Sequence, residues 1–215
     1  MRTVLVTGFG AYLETGDNPS GTIALSVDGV VHDDVVLAGR VLSVSTNRVG
    51  AELSAALDDI QPDAVIVTGV TPGRAAVAVE RVAINVRDFP IPDTDGDEPV
   101  DEAVVKDGPA AYLSSLPVKA ILATWRRQGI PGYVSNSAGT YVCNQAFYLA
   151  RHLAPLSASA VGLVHIPLAS STASSSSSPP PSLPLELLRQ AVISAATVAA
   201  THRGPDVRLA AGTTS

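Results

Sequence analysis

One cysteine, four histidines and a glutamate set among apolar neighbours are the groups in this chain best suited to covalent chemistry. Cys143 is the only cysteine in 215 residues, so an internal disulfide and every zinc pattern built on paired cysteines are excluded. A lone thiol of this kind is either inert core or a nucleophile. It follows a glycine turn and opens an apolar run with helical spacing, which puts it in a helix's first turn. There the positive end of the helix dipole and unpaired backbone N–H groups favour an ionised sulfur and offer donors to an oxyanion. Among the histidines, His32 lies beside Asp33 and Asp34 in a turn, His152 follows Arg151 in a helix, and His202 is in a polar tail. Only His165 ends an apolar strand, where a rigidly held imidazole can take the proton of a thiol. Such a base needs an acceptor on its other nitrogen, and Glu80, sharing a strand face with Ala78, Val82 and Ile84, is the carboxylate best placed for burial. Each residue also has a purely structural reading: a small buried hydrophobe, a satisfied core histidine, or a glutamate paired with Arg74 or Arg81. Spacing alone cannot join the three, because such groups meet in space rather than along the chain.

The elements that must position these groups alternate between strand and helix. Residues 2–7 (RTVLVT) and 64–68 (AVIVT) read as buried strands that empty into the glycine-containing loops 8–18 and 69–74. Residues 160–167 (AVGLVHIP) form a third such strand, and 35–44, 76–86 and 133–135 are further strands. Helices are expected over 20–28, 47–60, 118–128, 144–153 and 184–202, the third closing at Gly129 as a C-terminal glycine cap. Residues 90–96 read as an exposed polar turn. Residues 170–181, inside a Ser/Pro-rich loop at 169–183, are too poor in apolar groups to fold by themselves. This alternation predicts an α/β chain, a single-domain three-layer αβα sandwich. In such sheets, ligands gather outside the carboxyl ends of strands, where the 8–18 and 69–74 loops, the 139–143 turn and His165 are all expected.

Composition narrows the function further. Apolar residues make up 46% of the chain but aromatic ones only 4%, so the core is built from Val, Leu, Ile and Ala. The net charge of -6, with no clustered Lys or Arg, argues against nucleic acid as a partner. No secretory signal pattern opens the chain, and no stretch reaches the roughly 18 apolar residues of a membrane span. The expectation is a cytoplasmic protein with no membrane association. Gly8-Phe9-Gly10 lacks the third glycine of a dinucleotide fingerprint, and neither a phosphate-binding Gly-Lys-Ser/Thr loop nor a Gly-x-Ser-x-Gly elbow occurs.

Several separated blocks carry a resemblance. They are Val6-Thr7-Gly8-Phe9 with Asn18-Pro19-Ser20, then Glu80-Arg81-Val82-Ala83-Ile84-Asn85, then Gly108-Pro109-Ala110-Ala111-Tyr112 with Leu116-Pro117. The most specific are Ser137-Ala138-Gly139-Thr140-Tyr141-Val142-Cys143-Asn144 and His165-Ile166-Pro167. In this order the chain resembles the type I pyroglutamyl peptidases over about residues 3–167, with a weaker likeness in the last helix. The resemblance implies a cysteine exopeptidase that removes an N-terminal pyroglutamyl residue from peptides, with Glu80, Cys143 and His165 as its catalytic triad. It implies substrate contacts at Phe9, Tyr12, Tyr141 and Val142, and the segment around Val70 and Thr71, together with Asn18, is assigned to the same pocket. It implies no metal or cofactor, a mixed, mostly parallel central sheet, and a homo-oligomer, dimer or tetramer. The chain departs from the family pattern at Val70, Pro72 and Pro90, where relatives carry glutamine, glycine and arginine, and at Tyr12, where they carry phenylalanine. These departures keep open a catalytically weak or inactive paralogue that binds small amides or peptide N-termini.

Overall fold

The structure, a computed structural model, describes residues 1–12, 18–155, 158 and 160–212. The chain runs β1 (Arg2–Phe9), α1 (Pro19–Val27), β2 (Val31–His32), β3 (Val35–Leu42), α2 (Val49–Ile60), β4 (Ala64–Val70), β5 (Val77–Glu80) and β6 (Val82–Ile84). It continues with β7 (Ala111–Leu113), α3 (Val118–Arg127), β8 (Gly132–Ser135), α4 (Val142–Leu153) and β9 (Ala160–Ile166). The last elements are β10 (Leu168–Ala169), α5 (Ser170–Ala173), β11 (Ser182–Leu183) and α6 (Leu185–Thr201).

Seven strands form one sheet in the order β2-β3-β1-β4-β9-β5-β8. β1, β4 and β9 occupy its centre, and their nearly unbroken Val, Leu, Ile and Ala runs suit strands covered on both faces. β3, β1, β4 and β9 are mutually parallel, whereas β5 runs antiparallel to β9 and parallel to β8. The sheet is therefore mixed and mostly parallel. Ile23, Val27, Ile121, Trp125, Leu188 and Val192 pack from α1, α3 and α6 on one face. Val49, Leu53, Leu57, Ala146 and Phe147 pack from α2 and α4 on the other, which completes the three expected layers. Trp125 is wholly buried between α3 and α6, and its Nε1–H donates to Ala191 O at 2.9 Å. α3 gives way to Gly129 at φ +71°, the left-handed closure expected from the sequence.

The expected strand over 76–86 is instead two. The chain leaves the main sheet at Arg81, and β6 pairs antiparallel with β7 in a separate ribbon beside α4. Alternation of apolar residues continues through both pieces, so periodicity alone does not reveal the break. The Ser/Pro-rich segment is not wholly structureless either. It starts with one helical turn, its ends meet through Leu168↔Ser182 and Ala169↔Leu183, and Ala169 and Ala173 are buried. In the expected exposed turn at 90–96, Asp93 is buried and accepts hydrogen bonds from the backbone N–H groups of Thr46, Asp95 and Asp97. Part of the expected 8–18 loop, residues 13–17, lies outside the described residues.

β3 and α1 approach so closely at Gly39 that a Cβ there would lie 1.9 Å from the Ala24 carbonyl oxygen. Backbone cannot step aside as a side chain can, so Gly39→Ala should destabilise by about 3 kcal/mol. For this chain length that lowers Tm by about 6–12 °C, measurable by calorimetry.

Candidate active site

β9 presents alternate side chains to opposite faces, with Val164 and Ile166 toward α1, α3 and α6 and His165 toward α4. The antiparallel register sets Ala78 of β5 opposite His165. Glu80, two residues further on, is then its diagonal neighbour on the same face, within reach of a long side chain. His165 Nδ1 and Glu80 Oε1 are 2.8 Å apart, and Arg74 Nη1 approaches the same oxygen at 3.4 Å. Glu80 is completely buried and His165 is 4% exposed, so neither is free to reorient into solvent.

On the other side of the ring lies Cys143, whose sulfur raises the proton affinity of the imidazole. With Nδ1 directed to Glu80, Nε2 is the nitrogen that serves the sulfur. The close approach is made at Gly69 of β4, the register partner of His165. A Cβ on Gly69 would sit 2.6 Å from Cys143 Sγ and 3.4 Å from His165 Cδ2, so the missing side chain is what lets the thiol lie over the strand. The structure thus brings together Cys143, His165 and Glu80. Cys143 alone of the three is partly accessible.

Cys143 is the second residue of α4, after the N-cap Tyr141. Among the described residues no side chain caps that end, which leaves first-turn amides facing the space beside the sulfur. The 139–143 turn follows β8, which runs against the parallel set, so it reaches the site as the cap of α4 rather than as a loop at the sheet's carboxyl edge. Two buried amides that sequence reasoning missed hold the helix start. Asn144 Nδ2 donates to Ile84 O and Val86 O while its Oδ1 accepts from Ile84 N, tying α4 to β6. Gln145 donates to Thr46 O and accepts from Thr46 Oγ1, and Asp93 accepts from Thr46 N. Polar residues directly after the cysteine in an otherwise apolar helix were the available signal.

Phe9, Tyr12, Tyr141 and Val142 all belong to the apolar cluster on the α2 and α4 face, the face that carries the sulfur. The hydroxyls of Tyr12 and Tyr141 both donate to Pro92 O, at 3.0 and 3.1 Å. Phe89, not anticipated from the sequence, packs on Tyr141 with ring centroids 4.5 Å apart. Three chain segments are thereby joined around one aromatic patch beside Cys143. Asn18 caps α1, with Nδ2 donating to Gly10 O and Oδ1 accepting from Ser20 N and Oγ, so its amide braces the loop. Thr71 N–H donates to Ile166 O. The Val70 side chain packs in the cluster under α1, α3 and α6, on the far face of the sheet from Cys143. Only the backbone of Val70 can face the cleft, because the residue alternates with Gly69. The other histidines lie elsewhere, His32 against Thr197, His152 against Tyr112 and His202 against Pro205. Among the described residues, no group of three or more His, Cys, Asp or Glu side chains is placed to hold a metal ion.

A family model described as pyroglutamyl peptidase matches residues 2–202. A pyrrolidone-carboxylate peptidase of Pseudomonas fluorescens is 40% identical over 216 residues, covering 100% of both chains. One from Clavibacter michiganensis is 45% identical over 174 residues, 80% of this chain and 82% of that one. Among solved structures, the pyrrolidone carboxyl peptidase from Thermococcus litoralis superposes with a TM-score of 0.92 at 35% identity, covering 98% of this chain and 100% of that chain.

The protonation of His165 reports the arrangement directly. Burial disfavours the imidazolium, but the hydrogen bonds to Cys143 and Glu80 outweigh it and push the pKa up to about 9 from 6.5. The stability that this pair contributes is complete below the unfolded value of 6.5 and is lost as pH rises through about 9. NMR titration of the ring should give a midpoint near 9, lowered by about one unit or more in Glu80→Gln. An ordinary histidine midpoint in the unmodified protein would contradict the bonded pair.

Proposed function

The chain belongs to the pyroglutamyl peptidase family, and from that premise we propose that it removes N-terminal pyroglutamyl residues from peptides, with Cys143 as nucleophile, His165 as base and Glu80 as the carboxylate that orients it. The observation that carries this reading is the buried Glu80–His165 bond directed at a sulfur seated over Gly69. A nucleophile, a base and an orienting acceptor in hydrogen-bonded series is the arrangement covalent acyl transfer requires.

His165 takes the proton of Cys143, and the thiolate attacks the pyroglutamyl carbonyl carbon. The tetrahedral oxyanion draws on first-turn amides of α4, the Cys143 N–H among them. His165 then returns the proton to the departing nitrogen, the C–N bond breaks, and the shortened peptide leaves with a free amine. Neutral His165 next removes a proton from water as the oxygen attacks the thioester. Collapse expels the sulfur and releases pyroglutamate, and the thiol regains its proton. Every step uses side chains and backbone amides of this chain, with water.

A pyroglutamyl residue has no α-amine to neutralise, so its pocket needs apolar walls and partners for one lactam N–H and one carbonyl. The Tyr12, Phe89 and Tyr141 patch supplies such a wall, and the backbone at Gly69–Thr71 supports the polar contacts. With Val70 directed away from the cleft, its departure from the family pattern bears less on the substrate than the sequence suggested. The reading extends to a cytoplasmic homo-oligomer acting on small peptides, in a compartment that keeps a reactive thiol reduced.

The test is release of a fluorescent amine from a pyroglutamyl amide, with a prolyl amide as control. Wild type should cleave only the former, and Cys143→Ser should show background rates. Glu80→Gln should lower kcat by about 10²–10⁴-fold with an unchanged circular dichroism spectrum. No release by wild type would favour an amide-binding paralogue, and unchanged turnover in Glu80→Gln would remove Glu80 from the mechanism.

A further inference from the structure

Glu80 has one oxygen with two partners and one with none. Oε1 faces His165 Nδ1 at 2.8 Å and Arg74 Nη1 at 3.4 Å, while Oε2 is buried without a hydrogen-bond partner among the described residues. A carboxylate so placed, with no access to water, depends on a nearby cation to offset its burial. The groups around it come from four directions. His165 faces it from β9, with Cys143 of α4 behind the ring, and Arg74 faces it from the loop between β4 and β5. β8 contributes its register partner Ser135 and Tyr133, whose ring centroid lies 5.8 Å from the Arg74 guanidinium carbon. Arg81, next in the chain, turns away and donates from Nε to Asn136 Oδ1 at 2.9 Å.

Among the described residues, Arg74 is then the permanent cation on Glu80, since the charge on His165 comes and goes during turnover. The distinction matters in the acylated state. With the sulfur esterified and His165 neutral, a proton arriving on Glu80 would donate to Nδ1 and force the hydrogen onto Nε2. That nitrogen could then no longer accept a proton from the attacking water.

We infer that Arg74 is a positioning residue of the reaction: held over Tyr133, it holds the Glu80 carboxylate as an acceptor toward Nδ1 through the whole cycle and so keeps His165 in the tautomer that serves Cys143. The inference rests on the acyl-transfer reading above. It accounts for a half-buried arginine that touches neither sulfur nor imidazole, and for how a fully buried acid with one unmatched oxygen remains an acceptor.

The test compares wild type, Arg74→Gln, Arg74→Lys and, as control, Arg81→Gln. Two pH profiles are recorded: kcat/KM for the pyroglutamyl amide, and the rate of Cys143 alkylation by iodoacetamide with no substrate present. Removing the cation raises the proton affinity of every group it faces, so Arg74→Gln should move the acid limb of both profiles up by about one pH unit or more. Arg74→Lys should return most of that shift, and Arg81→Gln should follow wild type. Arg74→Met, which retains packing over Tyr133, repeats the comparison if the glutamine variant does not fold. A uniform fall in rate with unmoved limbs would assign Arg74 to packing alone and overturn the inference. Failure of wild type to cleave the amide would instead overturn the peptidase reading, while the alkylation series would still decide the role of Arg74.

Discussion

The completely buried Glu80 carboxylate is the constraint around which the site is arranged. Withdrawing an ion from water costs several kcal/mol even after the protein relaxes, and attraction offsets that only when partners are close and well aligned. His165 at 2.8 Å supplies the directed bond and Arg74 at 3.4 Å the charge. These partners dictate the architecture nearby. Glu80 reaches His165 because β5 runs antiparallel to β9 and places the two as diagonal neighbours on one face. The reversed pair β5 and β8, beside the parallel set β3, β1, β4 and β9, is thus the part of the fold that builds the base.

The nucleophile comes from a different layer, and its placement depends on small and polar residues rather than on apolar mass. Gly69 leaves the space into which Cys143 Sγ projects, and any side chain there would press on the sulfur. Asn144 and Gln145 fasten the first turn of α4 to β6 and to the segment at Thr46, and Asp93 holds that segment in turn. A thiol must meet its base within a few tenths of an ångström, and a chain of buried amide bonds gives that tolerance where packing alone permits sliding. The aromatic patch around Tyr141 is joined to the same support through Pro92, so the wall proposed for the lactam and the nucleophile share one anchorage.

Much of this was legible in the sequence because the informative elements are the strongly patterned ones. The apolar runs of β1, β4 and β9, the helix with Cys143 in its first turn and the glycine closing α3 lie where periodicity and cap chemistry put them. What could not be read depends on contacts distant in sequence. The break at Arg81 follows from pairing between β6 and β7, which lie on either side of a long connection, and alternation passes through it unchanged. The Val70 side chain, assigned with Thr71 to the pocket, is turned by strand alternation to the opposite face. Asp93 sits in a turn of polar composition and is nevertheless buried, because three backbone amides converge on it. The pairing of Glu80 with Arg74, weighed as an alternative to a role with His165, coexists with it on the same oxygen.

The central claim is that the carbonyl of a pyroglutamyl group becomes bonded to Cys143. Acid-quenched intact-mass spectrometry during turnover of a pyroglutamyl ester, followed by peptide mapping, tests it most directly. The account predicts a transient adduct of one pyroglutamyl group on the peptide that contains Cys143, decaying as pyroglutamate appears and missing from Glu80→Gln at early times. Turnover at full rate with no adduct at any time, or an adduct mapped to another residue, would contradict it.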